Sequence, residues 1–229
     1  MAFANGGRIV TDGLVLSLDA SDRNSYVSGS TIWTDMSGNG NNGTLTNGPT
    51  FSSVNGGSIV FDGVDDRVIF SNNATTMGLI SQSPMTAEAW VKFNSLNSYM
   101  HIIDGSSNSF HLAVEAIGDG GSMYFYNGNS YQLNSSPGAI TGQWYHIVGI
   151  QDISQIKIYA NGVLLTNGTI TSGQSALNLS NKTIALGYWE NNNTRHLNGN
   201  IAIAKLYSRA LSSEEVLQNY NAQKSRFGL

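Results

Sequence analysis

The residues that acid–base chemistry would use first are the five glutamates, Glu88, Glu115, Glu190, Glu214 and Glu215. Glycoside hydrolysis needs two carboxylates facing one sugar, about 5–9.5 Å apart. A strand presents such a pair at alternate positions, as in a Glu-x-Asp-x-Glu run, because successive side chains point to opposite faces. No such run occurs. Glu88 lies in MTAEAWVKF on the face of Thr86 and Lys92, and Glu115 lies in FHLAVEAI with no acid two residues away. Both are expected to be solvated strand charges. Expected catalytic residues: none; the chain is not expected to be an enzyme.

The four histidines, His101, His111, His146 and His196, include no pair at i, i+2 or i, i+4. There are no cysteines, which excludes disulfides, thiolate metal sites and a cysteine nucleophile. A zinc site needs three or four converging ligands, and His146, in QWYHIV, is expected to be a core or edge histidine. Asp35-Met36-Ser37-Gly38-Asn39-Gly40 imitates the opening of a calcium loop, but the twelfth position is Thr46, not the bidentate Glu that closes such a site. A tight Asn/Gly turn is the favoured reading. Asp62, Asp65 and Asp66 in FDGVDDR form a second acidic group whose expected role is turn chemistry between two strands. No metal and no cofactor is expected; a structural calcium is the disfavoured alternative, with this second group as its most plausible seat.

The aromatics are more suggestive. Tyr124, Phe125 and Tyr126, and Tyr188 with Trp189, lie beside polar loops. An apolar floor with a polar rim is what a sugar ring requires, so Tyr124, Tyr126, Tyr188 and Trp189 are the candidate glycan-binding residues.

The elements that would position these groups are short β-rich runs separated by Gly/Asn/Ser/Asp clusters, the pattern of a sandwich or barrel. In MTAEAWVKF, Met85, Ala87, Ala89, Val91 and Phe93 share one face. Asn161-Gly162 between QIKIYA and VLLTNG is a hairpin signal, since a type I′ turn needs φ > 0 at both central residues. A helix is expected over about 212–224, where Ser212 and Glu215 have capping-box spacing and Val216, Leu217 and Tyr220 give an apolar stripe. Phe61, Ala89, Val91, Trp144, Ile158 and Leu186 are expected in the core. The organisation expected is an N-terminal arm over 1–12 and one domain over 13–229, helix included. The fold class expected is all-β, a two-sheet antiparallel jelly-roll sandwich with one C-terminal helix.

Net charge is −4, and Lys and Arg never run three together. Nucleic-acid binding usually needs a clustered basic face, so no nucleic acid is expected as a partner. No apolar run approaches the ~20 residues of a membrane span. The start, MAFANGGRIVTDG, has no basic n-region or apolar h-region, so synthesis in a cytoplasm without a signal peptide is expected.

The runs GGSIVFDGVDDRVIF, MTAEAWVKF, QWYHIV, IKIYANGVLL, KTIALGY and LNGNIAIAKLYSRALSSEEV, in this order, resemble the laminin-G-like, concanavalin A-like jelly roll over roughly Gly13 to Val216. The sequence departs from that family at IAIAKLYSRALS, where Ala204 and Lys205 stand in a strand that often carries an acid, and at GAITGQWYHIV, which lacks an acid before the Trp-His strand. These departures argue against carrying over a family calcium site. TDGLVLSLDASDRNSY, DMSGNGNNGTLTNGPTF and VLQNYNAQKSRFGL resemble, more narrowly, the jelly-roll structural proteins of tailed bacteriophages of aquatic bacteria, cyanobacteria among them, in a stand-alone form. That resemblance implies a non-enzymatic virion component, a capsid decoration protein or a tail or fibre component. Other virion proteins would then be its partners and the virion its location. The alternative is an adhesin that binds a host-surface polysaccharide. A homo-oligomer is expected, a trimer by preference. Phe3, Ile9, Val10, Phe227 and Leu229, apolar residues of the two ends, are the candidate assembly contacts.

Overall fold

Alternating apolar residues and turn-forming Asn and Gly produce sixteen strands in the computed structural model, which describes residues 7–96, 98–106, 109–115, 121–128, 131–169, 177–190 and 194–229. The strands are β1 (Leu14–Asp19), β2 (Ile32–Trp33), β3 (Gly43–Thr46), β4 (Thr50–Ser52), β5 (Ser58–Asp62), β6 (Arg67–Asn73), β7 (Met85–Phe93) and β8 (Met100–Asp104). They continue as β9 (His111–Glu115), β10 (Gly121–Tyr126), β11 (Tyr131–Ala139), β12 (Trp144–Gln151), β13 (Gln155–Ala160), β14 (Val163–Thr169), β15 (Thr183–Leu186) and β16 (Asn198–Tyr207). They form two eight-stranded antiparallel sheets. The first runs β14-β13-β12-β7-β16-β5-β4; β1 also joins it, pairing with β16 beyond the stretch that β5 occupies. The second runs β11-β10-β9-β8-β15-β6-β3-β2. This is the expected jelly-roll sandwich. The short β2, β3 and β4 lie in stretches that the sequence presents only as turns.

The core lies between the sheets. The expected core residues Phe61, Ala89, Val91, Ile158 and Leu186 are fully buried in it. Trp144 is buried too, but in a separate cluster with Trp90, Ala202, Ile203 and Phe227 on the far side of the first sheet. The Asn161-Gly162 hairpin joins β13 to β14 with φ of 51° and 79°, both positive as a type I′ turn requires.

The helix, α1 (Ser213–Gln223), has the expected capping box: the Ser212 side chain accepts from the Glu215 backbone, and the Glu215 carboxylate accepts from the Ser212 backbone. It covers the outer face of the first sheet, and this corrects the expectation for Glu88. In β7 both faces are buried, because Thr86, Glu88 and Trp90 point away from the core and into the layer beneath the helix. Glu88 Oε1 accepts from Lys205 Nζ at 2.6 Å and lies 3.2 Å from His146 Nε2, while its Oε2 accepts from Asn219 of the helix at 2.7 Å. Burial pushes the Glu88 carboxyl up, but Lys205 and His146 outweigh it and hold it well below the usual carboxylate range.

The same layer corrects the reading of the two chain ends. Val10 is buried against Tyr207, Leu211 and Val216; its N–H donates to Asn219 and its carbonyl accepts from Tyr207. Phe227 is buried, stacked on Trp90 with ring centroids 4.1 Å apart. Neither is an exposed contact for another molecule, because the first sheet's outer face already takes both. Ile9 is half-buried, Leu229 is exposed, and Phe3 lies outside the described residues. Among the described residues no helix is long and apolar enough to cross a membrane.

Candidate functional site

The outer face of the second sheet carries the groups with chemistry. Strands β8, β9 and β10 lie side by side with Met100, Leu112, Val114, Met123 and Phe125 turned into the core. The alternate positions therefore face outward: His101, His111, Glu115, Tyr124 and Tyr126. A bulge in β8 adds Asp104 to them. The pairing of β8 with β9 shifts register between His101 and Ile103, so Ile102 and Ile103 both enter the core and the three-residue step from His101 to Asp104 returns to the same face.

Register then assembles the cluster. Asp104 stands opposite His111, and His111 opposite Tyr126; in the next row His101 and Tyr124 flank Ala113. Because Ala113 is small, the Tyr124 hydroxyl reaches His101 Nε2, 3.2 Å away. Asp104 Oδ1 lies 2.9 Å from His101 Nδ1 and 2.5 Å from His111 Nδ1. Its Oδ2 accepts from the backbone of Ser106 at 2.9 Å and of Glu190 at 3.3 Å. An ionised carboxylate only accepts, so both Nδ1 atoms carry protons and His101 Nε2 is left as an acceptor for Tyr124. Burial pushes Asp104 up, but the two imidazole N–H groups outweigh it and hold it well below the carboxylate range. Burial pushes His101 down to about 4 against the opposing pull of Asp104, so it is neutral at pH 7. Burial also raises the Tyr124 phenol.

Around this hub lie the partly exposed groups. Trp189, held by a bridge to Thr194, packs against both imidazoles, with centroids 5.9 Å from His101 and 6.5 Å from His111. Its buried Nε1 has no hydrogen-bond partner among the described residues. Tyr126 stacks on His111 at 5.1 Å with planes 5° apart. The Arg195 guanidinium lies 4.2 Å from the Trp189 ring centroid and 4.9 Å from that of Tyr99. The Tyr99 hydroxyl donates to Glu115, so Glu115 is a half-buried, bonded group and not the freely solvated charge expected.

Of the four candidate glycan residues, the structure thus gathers Tyr124, Tyr126 and Trp189 around one centre. Tyr124 is 8% exposed and acts through its hydroxyl, not as an open stacking surface. Tyr188 is buried apart from them, stacked on His196 and under Arg67. Sequence reasoning missed His101, Asp104, His111, Tyr99 and Arg195. The histidines are ten residues apart, and only the strand pairing joins them.

His101, Asp104 and His111 offer three atoms of metal-ligand type within 4.8 Å of one another, as do Asp62, Asp65 and Asp66. In the first group both Asp104 oxygens already have their hydrogen bonds. In the second, Asp66 accepts from the Asp62 backbone and Asp62 from that of Val64, the expected turn chemistry. Asp35 likewise organises its turn, accepting from the backbones of Ser17, Ser37 and Asn41 at 2.9 Å each.

Comparison with known proteins agrees with this architecture. No curated protein sequence matches the chain. Among solved structures, the receptor-binding domain of the botulinum neurotoxin C/D mosaic serotype superposes with a TM-score of 0.71 at 20% identity, covering 93% of this chain and 52% of the toxin chain. The ligand-binding domain of serotype D, solved in complex with N-acetylneuraminic acid, gives 0.69 at 19% identity over 93% and 52%. This chain therefore spans about half the length of those toxin domains. Domain 4 of an extracellular arabinanase from Geobacillus stearothermophilus, solved with arabinotriose, gives 0.67 at 21% identity, covering 90% of this chain and 98% of that one. The laminin-G family profile, described as the concanavalin A-like lectin/glucanases superfamily, matches residues 61–217, and the chain belongs to that family.

Proposed function

We propose that this chain is a non-enzymatic carbohydrate-binding domain that holds a glycan on the outer face of its second sheet. One observation carries the reading: Tyr126, Trp189, Tyr99 and Arg195, all partly exposed, surround a buried His101–Asp104–His111 hub in which Asp104 bonds both imidazoles. Aromatic faces meet the apolar side of a sugar ring, and the surrounding polar groups meet its hydroxyls. The hub fixes the rotamers of the groups above it, which lowers the ordering cost of binding. The sugar complexes of the arabinanase domain and the serotype D toxin domain support the reading by analogy of fold. The test is a glycan array followed by calorimetry on the hits. Trp189→Ala and Tyr126→Ala are each expected to weaken binding at least tenfold, with melting curves showing that both variants still fold cooperatively; unchanged affinity in both would refute the site.

Display of this domain on a phage particle is the placement that the narrower sequence resemblance implies, and it accords with a host-glycan adhesin. Mass spectrometry of purified particles tests it: many copies per particle indicate capsid decoration, a few indicate a tail component, and none rejects the placement.

A further inference from the structure

We infer that the sugar held at this site is acidic, a uronic or sialic acid residue whose carboxylate pairs with Arg195; this rests on the carbohydrate reading above. Two other half-buried arginines of this chain give the comparison. Arg209 and Arg226, both partly buried, form ion pairs with carboxylates, Arg209 with Asp12 and Glu215 and Arg226 with Asp19, at 2.7–2.8 Å. Arg195 is also half-buried, yet among the described residues no carboxylate lies within ion-pair distance of it. Its guanidinium donates to the Tyr124 hydroxyl and lies 3.4 Å from His101 Nε2, whose lone pair the closer Tyr124 already takes. Both are neutral groups, and a guanidinium has five N–H donors. Among the described residues, most of the fork that suits bidentate binding of a carboxylate is therefore unused.

The backbone holds it there at a cost. Arg195 has φ of 58°, in the left-handed region that a long side chain rarely adopts. Its carbonyl accepts from the His101 backbone, and its neighbour Thr194 is bridged to Trp189. Strain of this kind persists where surrounding contacts over-determine the conformation, as at ligand clamps.

Beside the guanidinium opens a hollow of about 380 Å³ lined by Tyr99, Arg195, His196 and Thr194 on one side and by Gly63 and Val64 on the other. That lies within the range of small-ligand pockets, roughly 300–1,000 Å³. The Gly63–Val64 wall belongs to the turn that carries the exposed Asp62. A carboxylate at Arg195 with hydroxyls toward that turn satisfies both ends. A sulfate- or phosphate-rich polyanion would meet like charge at the far wall.

The experiment titrates the whole chain by calorimetry with sialyllactose and galacturonate oligomers, and in parallel with lactose and galactose oligomers as their neutral counterparts. The acidic member of at least one pair is expected to bind at least tenfold tighter. Arg195→Gln should bring that ratio to about one, and Arg195→Lys should restore only part of it, with melting temperatures showing that both variants fold. If neutral sugars bind with no acid preference, or the preference survives Arg195→Gln, the acidic assignment is overturned and the carbohydrate reading stands. If the folded protein binds no sugar of either set and none on a broad array, both fall.

Discussion

Replacing Lys205 by Met would leave the Glu88 carboxylate buried, with its nearest full positive charge removed. Glu88 is 0% exposed and Lys205 1%, and their 2.6 Å contact is supplemented by Gln223 of α1, whose Oε1 accepts from Lys205 Nζ at 3.1 Å. Breaking a buried pair from one side typically costs about 3–5 kcal/mol. For a chain of this size that is roughly 6–20 °C in melting temperature, at about 2–4 °C per kcal/mol. The pH dependence gives the sharper test. Glu88 has a depressed pKa in the fold, so its stabilisation is complete above the unfolded value of about 4.3 and is lost as pH falls below it. Without Lys205 the folded carboxyl titrates higher, so the penalty should be largest at neutral pH and shrink on acidification. Glu88→Gln combined with Lys205→Met should cost less than Lys205→Met alone, since no uncompensated charge remains. Urea denaturation between about pH 2 and pH 8 measures the natural sequence and both variants. A loss below about 1 kcal/mol, or one that does not vary with pH, would refute the account.

Three further outcomes are expected. His101 is pushed from its ordinary 6.5 down to about 4 by burial, so the stability gained by keeping it neutral is complete above 6.5 and lost as pH falls toward 4. Urea midpoints should fall across that window in the natural sequence, and a His101→Gln variant with the same slope would contradict this. Gly149→Ala would place a Cβ 2.2 Å from Cδ2 of the buried Phe125 in the facing sheet, and overpacking of this kind costs about 1–3 kcal/mol; equilibrium unfolding that shows no loss would mean the sheets can separate locally. Chelation with EDTA should leave the melting temperature unchanged, whereas a fall of several degrees would place a structural ion on His101, Asp104 and His111 or on Asp62, Asp65 and Asp66.

What the sequence made legible was local. The Asn161-Gly162 turn and the Ser212–Glu215 box each depend on residues a few positions apart, and both appear as expected. The inward face of β7 was equally plain, since alternation needs only one strand. Its outward face was misread because alternation says which residues share a side, not what lies over that side; α1, more than a hundred residues later, makes Glu88 and Trp90 interior. The hub was hidden for two reasons. The β8 bulge breaks the period of two between His101 and Asp104, and His111 and Tyr126 join them only through cross-strand register. Arg195 carries no sequence signal, since nothing in its residue type announces the left-handed backbone it adopts.

The C-terminal turn, Lys224–Phe227, is clamped where Arg226 reaches Asp19 and the carbonyls of Asn55 and Gly57, and the segment around Val10 lies against α1 on the same side of the sandwich. Both approaches to the domain therefore sit on the sheet opposite the Tyr126–Trp189–Arg195 face. Anything joined through the segment around Val10 or through the C-terminal turn, another domain, a particle or a second copy, would attach on the side opposite the proposed sugar site. Weak single contacts could then be multiplied by density of attachment, since linked sites raise avidity by roughly 10²–10⁴ without any new contact. For a shallow face such as this one, attachment geometry would govern grip on a glycan-coated surface as much as the affinity of one site does.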